Sequence, residues 1–204
     1  MDKGFIIRSG EFNATTGLTF LWVWSILFFI PILSIIFPRF WGGKEVIPMT
    51  ILKKLKDYLE KNRVRYEVGV HEMLYTAQEI AAALHVPGKE WAKVVMVKAD
   101  GKMTMLVLPA SYRVDTKKLK KVLNCKRLGI SKEKDFEEIF PDCEVGAMPP
   151  FGNLYNLGVW VDQVLTEDEF IVFQAGSHVE TLKIKYSDYA RLVNPKVGDF
   201  SVHL

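Results

Sequence analysis

Three short stretches combine residue types that could do chemistry. The first is Gly146-Ala-Met-Pro-Pro-Phe-Gly152. Its paired prolines fix φ and remove backbone donors, and its flanking glycines permit tight turns, so it makes a stiff loop fit to wall a pocket. An ordinary rigid connection would read the same way on composition alone. The second is Gln174-Ala-Gly-Ser-His178, at the end of the apolar run Phe170 to Phe173. Gly176 would let a ligand approach the backbone, and His178 could donate to or accept from a polar substrate. A strand-to-strand turn with a satisfied histidine is the plainer alternative. Ser177 does not read as a serine nucleophile, because Gly-x-Ser-x-Gly is absent and no His/Asp pair accompanies it.

The third is Lys93, in Glu90-Trp-Ala-Lys-Val-Val at the entry to an apolar strand. It is either an edge residue with its head in water or a fixed cation facing a phosphate or carboxylate. From Asp115 to Lys134 eight basic residues, including Lys117, Lys118, Lys120 and Lys121, stand against two acidic ones. That run could be a landing surface for RNA or simply a solvated helix face. No metal site is expected: Cys125 and Cys143 form no C-x-x-C, and His71, His85 and His203 have no ligand spacing.

Elements of regular structure must position these stretches. Thr50 can cap a helix whose apolar residues Ile51, Leu52, Leu55, Tyr58 and Leu59 share one face. Val64 to Val70 reads as a strand, and Thr76-Ala-Gln-Glu79 as a capping box opening a helix that ends near Leu84. Val94 to Lys98 and Met103 to Leu108 flank Asp100-Gly101, which predicts a hairpin with a type I′ turn. Asp115 should cap a helix through Leu123, and Ser131 another through Ile139. Leu157 to Val161, Glu169 to Phe173 and Glu180 to Tyr186 follow as strands, and Ser187 to Val193 as a closing helix. The expected fold class is α/β (α+β): one domain, residues 49–204, on one mixed, largely antiparallel sheet flanked by helices.

The first 48 residues differ in kind. Gly17 to Phe37 is 21 residues without a charge, and as a helix would span roughly 31 Å, about a bilayer core. Trp22, Trp24 and Trp41 would sit near the interfaces, and Arg39, Lys44, Lys53, Lys54 and Lys56 would keep the domain on the cytoplasmic side. The competing expectation is that residues 1–48 are upstream sequence translated from a misplaced start codon, since Met49 directly precedes the amphipathic helix. The expected location is therefore cytoplasmic, or membrane-anchored with the domain facing the cytoplasm, with the membrane a partner only if 17–37 is a genuine anchor.

The whole chain has 204 residues, 49% hydrophobic and 25% charged, which excludes a long disordered protein. Its formal net charge of +3 permits an anionic partner but does not by itself indicate a nucleic-acid binder.

In order along the chain, His71-Glu-Met-Leu-Tyr-Thr-Ala-Gln-Glu79, Ala92-Lys93, Leu106-Val-Leu-Pro-Ala110, Gly146 to Gly152 and Ala175-Gly-Ser-His178 resemble the YbaK/ProX family. These are aminoacyl-tRNA deacylases related to the editing domain of bacterial prolyl-tRNA synthetases. The resemblance runs from about Val64 to Val193 and implies a pocket that receives the aminoacylated 3′ end of tRNA, without a cofactor. By the same resemblance, Lys93 lies near the terminal adenosine phosphate. Gly146, Met148, Pro149, Pro150, Phe151 and Gly152 line the aminoacyl pocket, Gly176, Ser177 and His178 hold the scissile ester or aminoacyl group, and Tyr75 and Thr76 form a pocket edge. Hydrolysis would then need a positioned water and stabilised oxyanion charge more than a strong protein base, with the substrate's own 2′-hydroxyl or side chain assisting.

The implied activity is trans-editing of mischarged aminoacyl-tRNA carrying Ala, Ser, Thr or Cys, with an aminoacyl-tRNA synthetase as a candidate partner. Val94 departs from relatives that carry a polar residue after the lysine, which leaves the amino acid open. A catalytically silent module that holds a tRNA end or aminoacyl group, tethered or free, is the alternative.

Overall fold

The computed structural model describes residues 52–70 and 87–204. Thr50, Ile51, Tyr75, Thr76, the capping box and the apolar segment 17–37 lie outside the described residues. Helix α1 (Lys53–Lys61) is followed by β1 (Tyr66–Val70), β2 (Ala92–Ala99), β3 (Lys102–Pro109), β4 (Tyr112–Val114), α2 (Thr116–Val122) and β5 (Leu128–Ile130). Then come β6 (Gly158–Asp162), β7 (Phe170–Gln174), β8 (Glu180–Lys185), α3 (Tyr186–Val193), β9 (Lys196–Gly198) and β10 (Ser201–His203).

The expected class is borne out as a mixed, largely antiparallel α+β fold. Its hydrogen bonds, however, divide among three sheets instead of one: a five-stranded sheet ordered β5-β2-β3-β6-β9, a three-stranded sheet β1-β8-β7 and the pair β10-β4. Only β3 with β6 and β6 with β9 run parallel in the five-stranded sheet. A parallel bridge between Trp91 and Val172 brings the start of β2 beside β7.

The β2–β3 hairpin turns at Asp100 and Gly101, both at positive φ, as the type I′ pattern requires. The Asp115 carboxylate caps α2 by accepting from the Lys117 and Lys118 N–H groups. Two expectations need correction. Helix α1 begins at Lys53 with Leu52 at the N-cap position, where a leucine side chain can accept nothing. The helix expected after Ser131 is instead two 3₁₀ turns, Glu133–Asp135 and Glu137–Ile139. The first is closed by the Asp135 carboxylate accepting from the Lys132 N–H, and Phe136 and Phe140 then stack edge to face at 6.2 Å. Four short strands, β4, β5, β9 and β10, were not expected from the sequence.

Side-chain alternation along the hairpin builds two cores. Ala92, Met96, Met105 and Val107 enter one with Phe151, Phe173, Leu182, Ile184, Tyr189 and the α1 residues Leu55 and Leu59. Val97, Leu106 and Leu108 enter the other, with Leu119 of α2 and Phe200. Leu55 and Leu59 are wholly buried, and burying each such side chain contributes about 1.5–3 kcal/mol. Cutting Leu55 back to alanine would remove about 2–5 kcal/mol and loosen α1 from the sheet.

Candidate active site

Two of the three chemical stretches meet where the end of β7 turns back toward β8. Gly176 accepts the Glu144 N–H through its carbonyl at 2.9 Å and donates its own N–H to the Ala147 carbonyl at 3.0 Å. Ala147 in turn donates to the Glu144 carbonyl. The Glu144 carboxylate accepts the His178 backbone N–H at 2.7 Å. These bonds stitch the segment entering the Gly146 loop onto the Gly176–His178 turn, which are far apart in sequence. The two stretches that the resemblance assigns to one pocket are thus adjacent in the fold.

His178 completes the stitch through its ring. Its Nε2 lies 2.9 Å from the Val145 carbonyl oxygen and its Nδ1 lies 3.2 Å from the Gln174 side-chain nitrogen. A carbonyl only accepts, so Nε2 carries the hydrogen and Nδ1 accepts from the Gln174 amide. Both ring nitrogens are engaged by protein groups in this arrangement. The imidazole thereby bridges the end of β7 and the segment entering the loop.

Two glycines make the close approach feasible. Gly146 sits at φ +91°, and a Cβ there would lie 3.4 Å from His178 Cε1. Gly176 sits at φ +106°, and a Cβ there would lie 3.0 Å from the Cβ of Leu52. Leu52 also donates its N–H to the Ala175 carbonyl at 3.1 Å, so the start of α1 backs the Gly176 turn. L side chains rarely adopt such φ values, and both positions select glycine for conformation and for space.

The loop Met148-Pro-Pro-Phe-Gly152 is mostly interior. Phe151 is fully buried, with its ring 5.5 Å from that of Tyr189 and 5.7 Å from that of Phe173. The Pro150 carbonyl accepts from the Tyr189 hydroxyl at 3.0 Å. A pocket bounded by Phe151 was expected, and its buried ring instead forms the packed support behind the loop. Pro149, Pro150 and Gly152 are likewise buried. Met148, 6% exposed, is the loop residue that reaches a small surface hollow, which it lines with Phe136, Phe140, Cys143, Glu144 and Val145.

Lys93 lies on β2, whose start is bridged to β7. By alternation it shares a face of β2 with Val95 and Val97, and across the hairpin it stands opposite Leu108. From the Trp91–Val172 bridge, Lys93 and Gln174 are each two residues further along their parallel strands, on matching sides. The Lys93 ammonium donates to the Ala110 carbonyl at 3.1 Å. No carboxylate among the described residues pairs with it, and burial pushes its pKa below the ordinary lysine value. A half-buried cation that no described acid neutralises suits an anionic ligand.

Helix α2 packs on that same face through Leu119. Lys117, Lys120 and Lys121 are exposed, whereas Lys118 is tied to Asp199 at 2.8 Å and donates to the Ser201 carbonyl. The four lysines expected to meet RNA therefore divide into three exposed ones and one engaged in packing the C-terminal strand.

Other nucleophiles are poorly placed. The Cys143 Sγ lies 3.4 Å from the Tyr155 hydroxyl, and burial pushes the thiol pKa up, disfavouring a reactive thiolate. Among the described residues the buried Ser177 hydroxyl has no hydrogen-bond partner. Among the described residues no group of three His, Cys, Asp or Glu is placed to hold a metal ion. Gln174 and Glu144, which organise the His178 turn, carried no motif signal. Only Gln174's place in the Gln-Ala-Gly-Ser-His string pointed toward it.

Comparison with known proteins gives this arrangement a context. The chain is 24% identical over 154 residues to the multifunctional Ser/Thr-tRNA deacylase ProXp-y of Escherichia coli (strain K12), covering 72% of this chain and 91% of that protein. It is 23% identical over 157 residues to the proline–tRNA ligase of Leuconostoc citreum (strain KM20), covering 73% of this chain and 27% of the ligase. The match thus spans about a quarter of that ligase's length. Among solved structures, a proposed trans-editing enzyme for prolyl tRNA synthetase superposes with a TM-score of 0.64 at 16% identity, over 74% of this chain and 96% of the other. A hypothetical protein superposes with a TM-score of 0.66 at 20% identity, over 73% and 99%. Both likenesses show the fold. A family model described as the aminoacyl-tRNA editing domain matches residues 71–192, more than half of the sequence, and bears out the resemblance and the deacylase class of enzyme that goes with it. By that match, the chain belongs to the aminoacyl-tRNA editing domain family.

Proposed function

We propose that this protein is a trans-editing hydrolase that removes a small mischarged amino acid, of the Ala, Ser, Thr or Cys class, from tRNA. The observation that carries the reading is the half-buried Lys93 ammonium, unpaired with any described carboxylate and set on the side of β7 that bears Gln174. A terminal adenosine phosphate would supply the missing charge, and a point charge suffices for that role.

The reaction is ester hydrolysis. Water adds to the acyl carbon, the bond from that carbon to the ribose oxygen breaks, and the leaving oxygen takes a proton as the carboxylic acid departs. The protein's contribution is placement: Lys93 fixes the phosphate, and the loop from Gly146 with the turn Gly176–His178 fixes the aminoacyl end. No protein base is needed in the steps assigned to His178, consistent with its two engaged nitrogens. Gly146 and Met148 are the loop positions offered as contacts. Pro149, Pro150, Phe151 and Gly152 act from behind them, and Tyr75 and Thr76 remain proposed as a pocket edge.

Size selection would come from a rigid wall, because the loop is braced by Phe151 and by the Tyr189–Pro150 bond and yields little to a larger side chain. A single methylene discriminates by only about 1–3 kcal/mol, so several small amino acids could be accepted. An aminoacyl-tRNA synthetase is proposed as a partner that supplies the mischarged tRNA. The deacylase domain is assigned to residues 49–204, with residues 1–48 an extension, and the proposed location is cytoplasmic. Among the described residues no helix is long and apolar enough to cross a membrane.

The test is incubation of the full chain with labelled Ala-, Ser-, Thr-, Cys- and Pro-tRNAs, scoring ester loss. Hydrolysis of one or two members is expected. Binding of the tRNAs with every ester left intact would replace the hydrolase by a silent binding module.

A further inference from the structure

We propose that Gln174 is a positioning residue that sets the Gly146 loop through the imidazole of His178. Gln174 ends β7, where its backbone is held opposite Thr181 of β8. Its carboxamide nitrogen lies 3.2 Å from His178 Nδ1, and the ring's other nitrogen lies 2.9 Å from the Val145 carbonyl. A neutral imidazole has one donor and one acceptor, and the two neighbours demand them in one order only. The Val145 carbonyl requires Nε2–H, and the Gln174 amide supplies the hydrogen that the bare Nδ1 needs.

The consequence is mechanical. Gly146 packs flush against the ring, with space for a Cβ only 3.4 Å from Cε1, so ring orientation and loop position move together. The Glu144 carboxylate holds the His178 backbone from the loop side, while Gln174 holds the ring from the sheet side. Gln174, fixed in the β7–β8 ladder, thereby sets through the ring how far the loop stands from the Gly176 turn. This inference rests on the reading of the loop as a border of the aminoacyl pocket.

The test uses the full chain with ¹⁵N-labelled histidine, the His178 signals being assigned with His178→Ala. Imidazole spectra at neutral pH should show the His178 hydrogen on Nε2 in the wild type. Gln174→Met removes the donor at similar volume and should give an exchange-averaged ring. Gln174→Glu presents an acceptor and should place a hydrogen on Nδ1. Both variants should lower kcat by about tenfold or more while KM for the tRNA changes less than about twofold, because the loop is displaced and Lys93 is not. A wild-type ring with its hydrogen on Nδ1 would overturn the proposal. So would a Gln174→Met protein with unchanged imidazole signals and unchanged kcat. If the wild type hydrolyses no tRNA, the functional reading falls, and the imidazole spectra of the three proteins still decide whether Gln174 orders His178.

Discussion

The ammonium of Lys93 donates to the carbonyl of Ala110 across 3.1 Å, at the open end of the β2–β3 hairpin. Ala110 is itself anchored there by its N–H on the Trp91 carbonyl. The cation is thus held by one backbone carbonyl and by no described acid, an arrangement that leaves its charge for a ligand. Lys93→Ala should reduce deacylation by at least about a hundredfold, judged by effects of misplacing a reacting group. Circular dichroism should be nearly unchanged. Full activity in this variant would remove Lys93 from the site.

The same burial gives a pH signature. Because the folded-state pKa of Lys93 is lowered by burial, keeping it charged destabilises the fold at every pH below that value. As pH rises from the lowered pKa toward the ordinary 10.5, the unfolded chain holds more protons than the folded one, and stability rises through that window. Lys93→Met lacks the titrating group, so its stability advantage over wild type should shrink across the window in denaturant unfolding. Substrate binding should run the other way. KM for the tRNA should climb as the ammonium loses its proton, after subtraction of the uncatalysed ester loss in base.

Gly146→Ala tests the packing of the loop on the histidine. The substitution combines φ +91° with a Cβ 3.4 Å from His178 Cε1, and should destabilise by about 1–3 kcal/mol. The melting temperature reports the strain, and turnover should fall further than stability because the loop must move off the ring. A fully stable, fully active variant would show that the ring and the loop are not coupled.

Local signals explain what the sequence revealed and what it concealed. Asp100-Gly101 and the Asp115 cap act within a few residues, and both were readable because turn geometry and capping are local. The segment after Ser131 misled because a polar residue before Phe136 and Ile139 imitates a capped helix. Its chain instead closes on Asp135 and turns again at Glu137, with the aromatic pair Phe136 and Phe140 stacked at its end. Strand β9 is only three residues long and pairs in parallel with β6, a partner more than thirty positions away, so no local pattern announces it. The site shows the same division. Gly146, Gly176 and His178 stand out by type, whereas Phe151 sits in the same string and turns inward because Tyr58, Phe173 and Tyr189 receive its ring.

The lysines of α2 make the last prediction, and it depends on separating exposed charges from engaged ones. Lys117, Lys120 and Lys121 are exposed on the helix that packs on the Lys93 face, so each can meet a phosphate of an acceptor stem bound there. Lys118 is committed to Asp199 and to the Ser201 carbonyl. Replacing the three exposed lysines by glutamine should raise KM for the tRNA and flatten its dependence on salt by about two to three units of slope, since each phosphate contact releases about one counterion. Lys118→Gln should leave the salt slope unchanged and the stability little altered, because exposed ion pairs contribute little. Measuring KM across a salt series for both variants decides the matter. An unchanged slope in the triple variant would place the tRNA backbone on another surface, and an equal effect from Lys118→Gln would show that the pair with Asp199 opens when RNA binds.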